Sequence, residues 1–162
     1  MPIDSESSQI KEVYTQFGLV MYQVQCFERT LAILLITAYA PDLQKITRSQ
    51  YEELLGRYFQ RTLGNLINQL REFVTISRQL ETTLSRALQK RNWLVHHYFW
   101  KRGITFMRED GRESMIEELR GIAQFFEDID SKLTTIVEEW ARKQGITEEA
   151  IQRRIQKLID SE

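Results

Sequence analysis

The residues best suited to chemistry lie together in segment 91–98, which reads Arg-Asn-Trp-Leu-Val-His-His-Tyr. Both histidines of the chain, His96 and His97, are in this segment, together with Arg91 and Asn92. Histidine takes up and releases a proton near neutral pH, and the planar arginine side chain holds two phosphate oxygens at once. Such a group suits attack on an RNA phosphodiester. The histidine takes the proton from the 2′-hydroxyl or gives one to the leaving oxygen, and no metal is required.

Helix geometry limits which of these side chains meet. Asn92 and His96 are four positions apart and share a face, as do Arg91 and Tyr98 at seven positions. Arg91 and His96 are about 140° apart on an ideal helix, so they converge only through the long arginine side chain, or if a neighbouring helix or subunit completes the site. The same segment also fits a purely structural interpretation, a helix end packed under a loop, and the residues alone leave both interpretations open.

Two further residues bear on the site. Glu28 lies in an apolar stretch of the first helix. If its carboxylate points inward it needs a cation, and Arg91 is a candidate partner. The alternative is that Glu28 is exposed on the surface or pairs with a nearby arginine. Cys26, the single cysteine, is expected to be a buried thiol and not a nucleophile. The chain has no His-x3-His pair and no cysteine cluster, so we predict neither a metal site nor a cofactor.

Apolar residues at alternating three- and four-residue spacing predict the helices that position this segment. The first helix is predicted to run for about thirty residues until Pro41, and the second to begin at a capping box in residues 49–52. The second carries Leu54, Leu55, Tyr58, Leu63, Leu66, Ile67 and Leu70 on its inner side. The third covers about 78–101, and a turn region follows over 102–112.

A fourth long helix is predicted to end at Gly145, and Thr147 to cap a short fifth helix bearing Ile151, Ile155, Leu158 and Ile159. These elements predict an all-α fold, an up-and-down four-helix bundle with a short additional C-terminal helix. Residues 1–162 form one domain, with 1–8 as a flexible tail. The heptad-like rows of the first and fourth long helices could also support a dimer.

Composition and charge narrow the class of protein further. Hydrophobic residues make up 42% and charged residues 28%, which is ordinary for a globular domain. The most apolar run, 31–36, is much shorter than the ~20 residues that span a bilayer, and the N-terminus does not resemble a signal peptide. We therefore expect a cytoplasmic protein without membrane contact. Residues 78–102 include six basic side chains and one acidic side chain, whereas residues 105–140 include ten acidic and four basic side chains. This distribution indicates two complementary helices or a local anion-binding face.

Segment 91–98 resembles the signature of the HEPN superfamily of helical-bundle proteins, which is an arginine followed, after four to six residues, by a histidine. Asn92 supplies the polar residue that typically follows the arginine there. The spacing of Arg91, His96 and Tyr98 is similar to the Arg-x4-His-x-Tyr of toxins encoded beside minimal nucleotidyltransferases.

The resemblance implies a metal-independent endoribonuclease that acts as a homodimer, with the motifs of two subunits facing each other across one cleft. It assigns His96 as acid/base, Arg91 as phosphate ligand and Asn92 as positioning residue. Tyr98 would be the tyrosine that a partner nucleotidyltransferase antitoxin modifies with AMP. His97 lies outside the motif.

The sequence thus predicts a HEPN-like ribonuclease that cuts RNA in a composite dimer site. The closer resemblance implies that it is the toxin of a toxin–antitoxin pair. Two alternatives remain. The first is a non-catalytic HEPN relative whose cleft binds a nucleotide or RNA. The second is a helical protein–protein interaction module, which needs only an exposed apolar strip and tolerates a buried His96.

Overall fold

The computed structural model describes residues 5–39, 47–59, 62–73, 76–143, 145–147, 149–150, 152–153, 156 and 160. Over these ranges the regular structure is helical and contains no strand, which confirms the all-α class. The helices are α1 (Ser5–Tyr39), α2 (Arg48–Phe59), α3 (Leu63–Phe73), α4 (Arg78–Phe106) and α5 (Glu109–Lys143).

The predicted second helix is in fact two helices, so its prediction as one element is wrong. Thr47 caps α2 by a reciprocal pair of hydrogen bonds with Gln50, in which each side chain accepts from the other residue's backbone N–H. A capping box therefore opens α2, but it is formed by residues 47–50 and not by the predicted residues 49–52. Thr62 then caps α3 by accepting from the backbone N–H of Asn65, and this cap starts a new helix.

A tight turn joins α4 to α5 within the predicted turn region. α4 begins at its cap, Ser77, whose hydroxyl accepts from the backbone N–H of Leu80, and it continues past the predicted end. Only Met107 and Arg108 separate the two helices. Gly111 makes this reversal possible, because a Cβ there would lie 1.9 Å from the carbonyl oxygen of Thr105.

Gly145 ends α5 as predicted. Its φ of 75° and the hydrogen bonds from Gly145 N to Arg142 O and from Ile146 N to Ala141 O form a Schellman cap. The hydroxyl of Thr147 accepts from the backbone N–H of Ala150, as expected of a following N-cap. The apolar residues predicted for the C-terminal helix (Ile151, Ile155, Leu158 and Ile159) lie outside the described residues.

The long helices α1 and α5 run parallel and form the main packing contact of the fold. Gln9 bonds Arg112 and Glu113 near the two helix starts, and the rings of Phe27 and Phe126 meet 5.7 Å apart farther along. The predicted four-helix pattern would make the first and last long helices antiparallel neighbours. Since α1 and α5 run parallel instead, strict up-and-down alternation of four helices is not observed.

α4 runs antiparallel to both α1 and α5. Its late residue Phe106 contacts Tyr14, Tyr98 contacts Phe17, and its earlier residue Arg91 contacts Glu28. α1 and α5 together supply most of the buried core among the described residues. The core includes members of the apolar rows that predict these two helices: Val13, Val20, Val24, Phe27, Leu31 and Leu34 in α1, and Leu119, Ile122, Phe126, Ile129 and Leu133 in α5. The site-bearing segment of α4 is therefore held against the middle of α1.

The N-terminal boundary differs from the prediction, since residues 5–8 belong to α1 instead of a flexible tail. Glu6, in the first turn, favours this start because a carboxylate stabilises a helix N-terminus, and it lies 3.7 Å from buried Arg112. In the part of the chain that the structure describes, one span, Glu6–Ile36, is long and apolar enough to cross a membrane by length and composition alone. Core helices of globular proteins pass the same test, and much of this helix packs on α5.

Candidate functional site

An open cleft of about 400 Å³ lies where α1, the start of α3 and the middle of α4 meet. Its polar lining comes from Glu28 of α1, from Thr62 at the start of α3, and from Arg91, Asn92 and His96 of α4. Its apolar lining comes from Leu63, Leu66 and Leu88. The structure therefore brings together four of the five predicted site residues; the fifth, Tyr98, lies elsewhere.

Glu28 fixes the position of Arg91. The Nε of Arg91 donates to Oε1 of Glu28 at 2.9 Å, and its Nη1 donates to Oδ1 of Asn92 at 3.3 Å. The Arg91 and Glu28 side chains are 31% and 24% exposed, so the pair lies at the cleft wall and not in the core. Nη2 has no hydrogen-bond partner among the described residues, which leaves one edge of the guanidinium for an anion.

The two histidines differ in what they face, although both are exposed. His96 lines the cleft, one helical turn after Asn92, whereas His97 is not among the cleft residues. Their rings are 6.2 Å apart and inclined at 62°. The structure thus excludes a His96 buried in dry packing, and it shows an imidazole that water and a ligand reach.

Tyr98 lies in the core, where its ring contacts Phe17, Trp93 and Phe99. Its hydroxyl donates to the carbonyl oxygen of Met115 at 3.5 Å. Burial raises the pKa of this hydroxyl, and the nearby Glu118 carboxylate raises it further. The modification that the resemblance implies requires a reachable hydroxyl, and this position does not offer one.

The wall supplied by α3 was missed by the sequence reasoning. Thr62 and Gly64, at the start of α3, line the cleft opposite α4, and a Cβ on Gly64 would lie 3.6 Å from Leu88 Cδ2. The available signal was Thr62 itself, a capping residue three positions before Asn65 inside what reads as one continuous helix. Recognising that cap would have placed a helix start at the cleft.

A second groove, of about 480 Å³, lies between α4 and α5 and includes Lys90, Trp93 and Glu118. Two hydrogen bonds from Arg102, at 2.5 and 3.0 Å, occupy both oxygens of Glu118, and the Arg102 guanidinium stacks over Trp93. The described residues that line this groove include no imidazole and no unpaired carboxylate for proton transfer, so the first cleft is the stronger candidate. Among the described residues no group of three His, Cys, Asp or Glu side chains is placed to hold a metal ion.

Comparisons of the chain with protein-family models, with curated proteins and with solved structures found no significant match.

Proposed function

We propose that this chain is a HEPN-like, metal-independent endoribonuclease that cuts RNA in the cleft of Arg91, Asn92 and His96. The observation that carries the proposal is that one open cleft holds both an accessible imidazole and an arginine whose position is fixed by Glu28. That combination suits phosphodiester chemistry and has no evident purpose in packing. The four helices of the HEPN-like bundle are then α1, α3, α4 and α5, and α2 is an addition to it.

The reaction follows from the groups present. The RNA 2′-oxygen attacks the adjacent phosphorus, and the bond from phosphorus to the leaving 5′-oxygen breaks. His96 takes the 2′-hydroxyl proton or supplies one to the leaving oxygen. Negative charge on the phosphate oxygens is met by the outward edge of Arg91, while the Glu28 carboxylate holds its Nε edge. The products are a 2′,3′-cyclic phosphate end and a 5′-hydroxyl end.

Two parts of the resemblance have unequal support. The acid/base and phosphate roles of His96 and Arg91 agree with where these residues lie. A toxin role with a nucleotidyltransferase antitoxin remains part of the proposal, but Tyr98 does not support it, because its hydroxyl is buried.

Purified protein incubated with total tRNA and with mRNA tests the proposal. His96→Ala should lower cleavage by about 100-fold or more, whereas His97→Ala, its exposed neighbour outside the cleft, should leave the rate near that of the wild type. Arg91→Lys should lower the rate by about 100-fold, because lysine lacks the two-pronged guanidinium. Activity should persist in EDTA.

The outcomes separate the alternatives. Cleavage that His96→Ala leaves unchanged contradicts the assigned role. RNA binding without cleavage, weakened by Arg91→Lys, supports the non-catalytic relative. Absence of both cleavage and binding favours the interaction module. The 2′,3′-cyclic phosphate end on the product distinguishes this reaction from hydrolysis by a metal-dependent contaminant.

A further inference from the structure

Three large apolar side chains are almost fully exposed along the outer face of α4 and its C-cap, Met107, whose φ of −72° and ψ of −16° continue the helical course. Trp100, Ile104 and Met107 are 86%, 81% and 78% exposed. They follow one another at four- and three-residue spacing, so they form one stripe along the helix. We call these three residues the α4 stripe. Exposed apolar groups arranged in this way on one helix face mark a surface that another molecule covers.

We infer that the α4 stripe is the dimer interface of this chain, in which it packs antiparallel against the α4 stripe of a second copy. This inference goes beyond the proposed function and does not depend on it. A twofold axis passing between Gly103 and Ile104 places the stripe on itself. Trp100 of one copy then lies over Met107 of the other, a pairing in which sulfur meets an aromatic ring.

Gly103 supplies the shape that this arrangement needs. A Cβ at Gly103 would meet nothing within 4 Å, so the helix surface has an open notch there. In the antiparallel pair, the Ile104 side chain of each copy enters the Gly103 notch of the other. The two helices can therefore approach closely at the axis.

The charges beside the α4 stripe favour the antiparallel direction. Lys101 accompanies its N-terminal half, whereas Glu109 and Asp110 follow its C-terminal end, and all three are exposed. Arg108 pairs with Asp110 within the chain, which leaves Glu109 as the unbalanced acid. Antiparallel packing brings the basic end of one stripe to the acidic end of the other, whereas parallel packing brings like charges together.

The apolar area of the α4 stripe limits how strongly two copies can bind each other. The three side chains offer on the order of 500 Å² per chain, which is less than the ~800 Å² per partner of a standard interface. We therefore expect a reversible dimer that forms at micromolar concentrations. Because His96 precedes the stripe by one turn, the two His96 residues are separated by roughly 20 Å along the paired helices. Each cleft then belongs to one chain, unlike the composite cleft that the resemblance implies.

Molar mass measured by sedimentation or light scattering tests the interface. Between about 1 and 200 µM, the wild-type mass should rise from that of the 19.3 kDa chain towards twice that value. Ile104→Glu should raise the dissociation constant at least tenfold, while Leu19→Glu, an exposed apolar position on α1, should leave it unchanged. Both sites are on the surface, so circular dichroism should show wild-type helix content. A wild type that stays monomeric, or an Ile104→Glu variant that still dimerises, overturns the inference.

Cysteine cross-linking tests the direction, in a Cys26→Ser background. Ile104→Cys chains should form a disulfide dimer under mild oxidation. His97→Cys chains should cross-link to Asp110→Cys chains but not to one another. Self-linking of His97→Cys would indicate parallel packing and would overturn the antiparallel arrangement. Monomers whose Trp100 fluorescence is quenched by added polynucleotide would assign the stripe to RNA instead.

Discussion

At the scale of single residues, the pairing of Arg91 with Glu28 was foreseeable in part. A carboxylate within an apolar helix face needs a cation, and the sequence offers Arg91 as one candidate. The observed 2.9 Å contact agrees with it. Sequence spacing could not decide between this partner and other arginines, because the choice depends on which helices lie side by side. Since both side chains are partly exposed, the pair serves more to orient the guanidinium than to stabilise the fold.

Tyr98 gives a prediction about alkaline pH. The folded state holds its pKa above the ordinary value of 10, so ionisation opposes folding. The stability linked to the neutral hydroxyl is complete below pH 10 and is lost as the pH rises above it. The wild type should lose up to about 1.4 kcal/mol per pH unit there beyond any loss in Tyr98→Phe. Urea unfolding at pH 8 to 11 measures this difference, and parallel curves for the two proteins would contradict it.

At the scale of helices, the sequence predicted faces better than ends. Leu63, Leu66, Ile67 and Leu70, assigned to an inner side, are all buried. The break before them was missed because apolar spacing continues across it, so periodicity alone reads one helix. What separates α2 from α3 is the local capping by Thr62, whose hydroxyl replaces a hydrogen bond that a continuous helix would make.

Two glycines of α5, one beside the turn from α4 and one farther along the helix, allow a matched pair of substitutions. Gly111→Ala should destabilise the protein by about 2–3 kcal/mol, because its Cβ would collide with the Thr105 carbonyl oxygen, a backbone atom. Gly121→Ala, also in α5, should stabilise it by up to about 1 kcal/mol, since a Cβ there meets nothing within 4 Å. Thermal unfolding of both variants measures the contrast. Equal effects would show that the turn adapts without strain.

At the scale of the whole molecule, the rows of apolar residues predicted the core but not its assembly. Val13, Val20, Phe27, Leu119, Phe126 and Leu133 are buried as their spacing indicates. The parallel pairing of α1 with α5 could not be predicted, because it depends on the number of chain reversals between them. The prediction of four antiparallel helices therefore gave the last helix the opposite direction. The open cleft likewise depends on three helices meeting, and spacing within one of them does not show this.

The contact between α1 and α5 yields a prediction for the core. Phe126→Ala should cost about 3–5 kcal/mol of unfolding free energy, because Phe126 is fully buried against Phe27. Phe125→Ala, its half-buried neighbour beneath Arg86 and Lys90, should cost clearly less. Denaturant titrations followed by circular dichroism supply both values. Similar losses would mean that the two helices are not the main source of stability.

The parallel arrangement of α1 and α5 has a consequence for how the chain is made. Gln9 and Glu113 are partners 104 positions apart, so α1 leaves the ribosome long before its main partner exists. At ~5–20 residues per second, the delay is roughly 5–20 s. During that time the apolar face of the nascent α1 lacks its main cover, and this makes it a natural target for chaperones. Translation speed across the middle of the message should therefore influence the yield of folded protein.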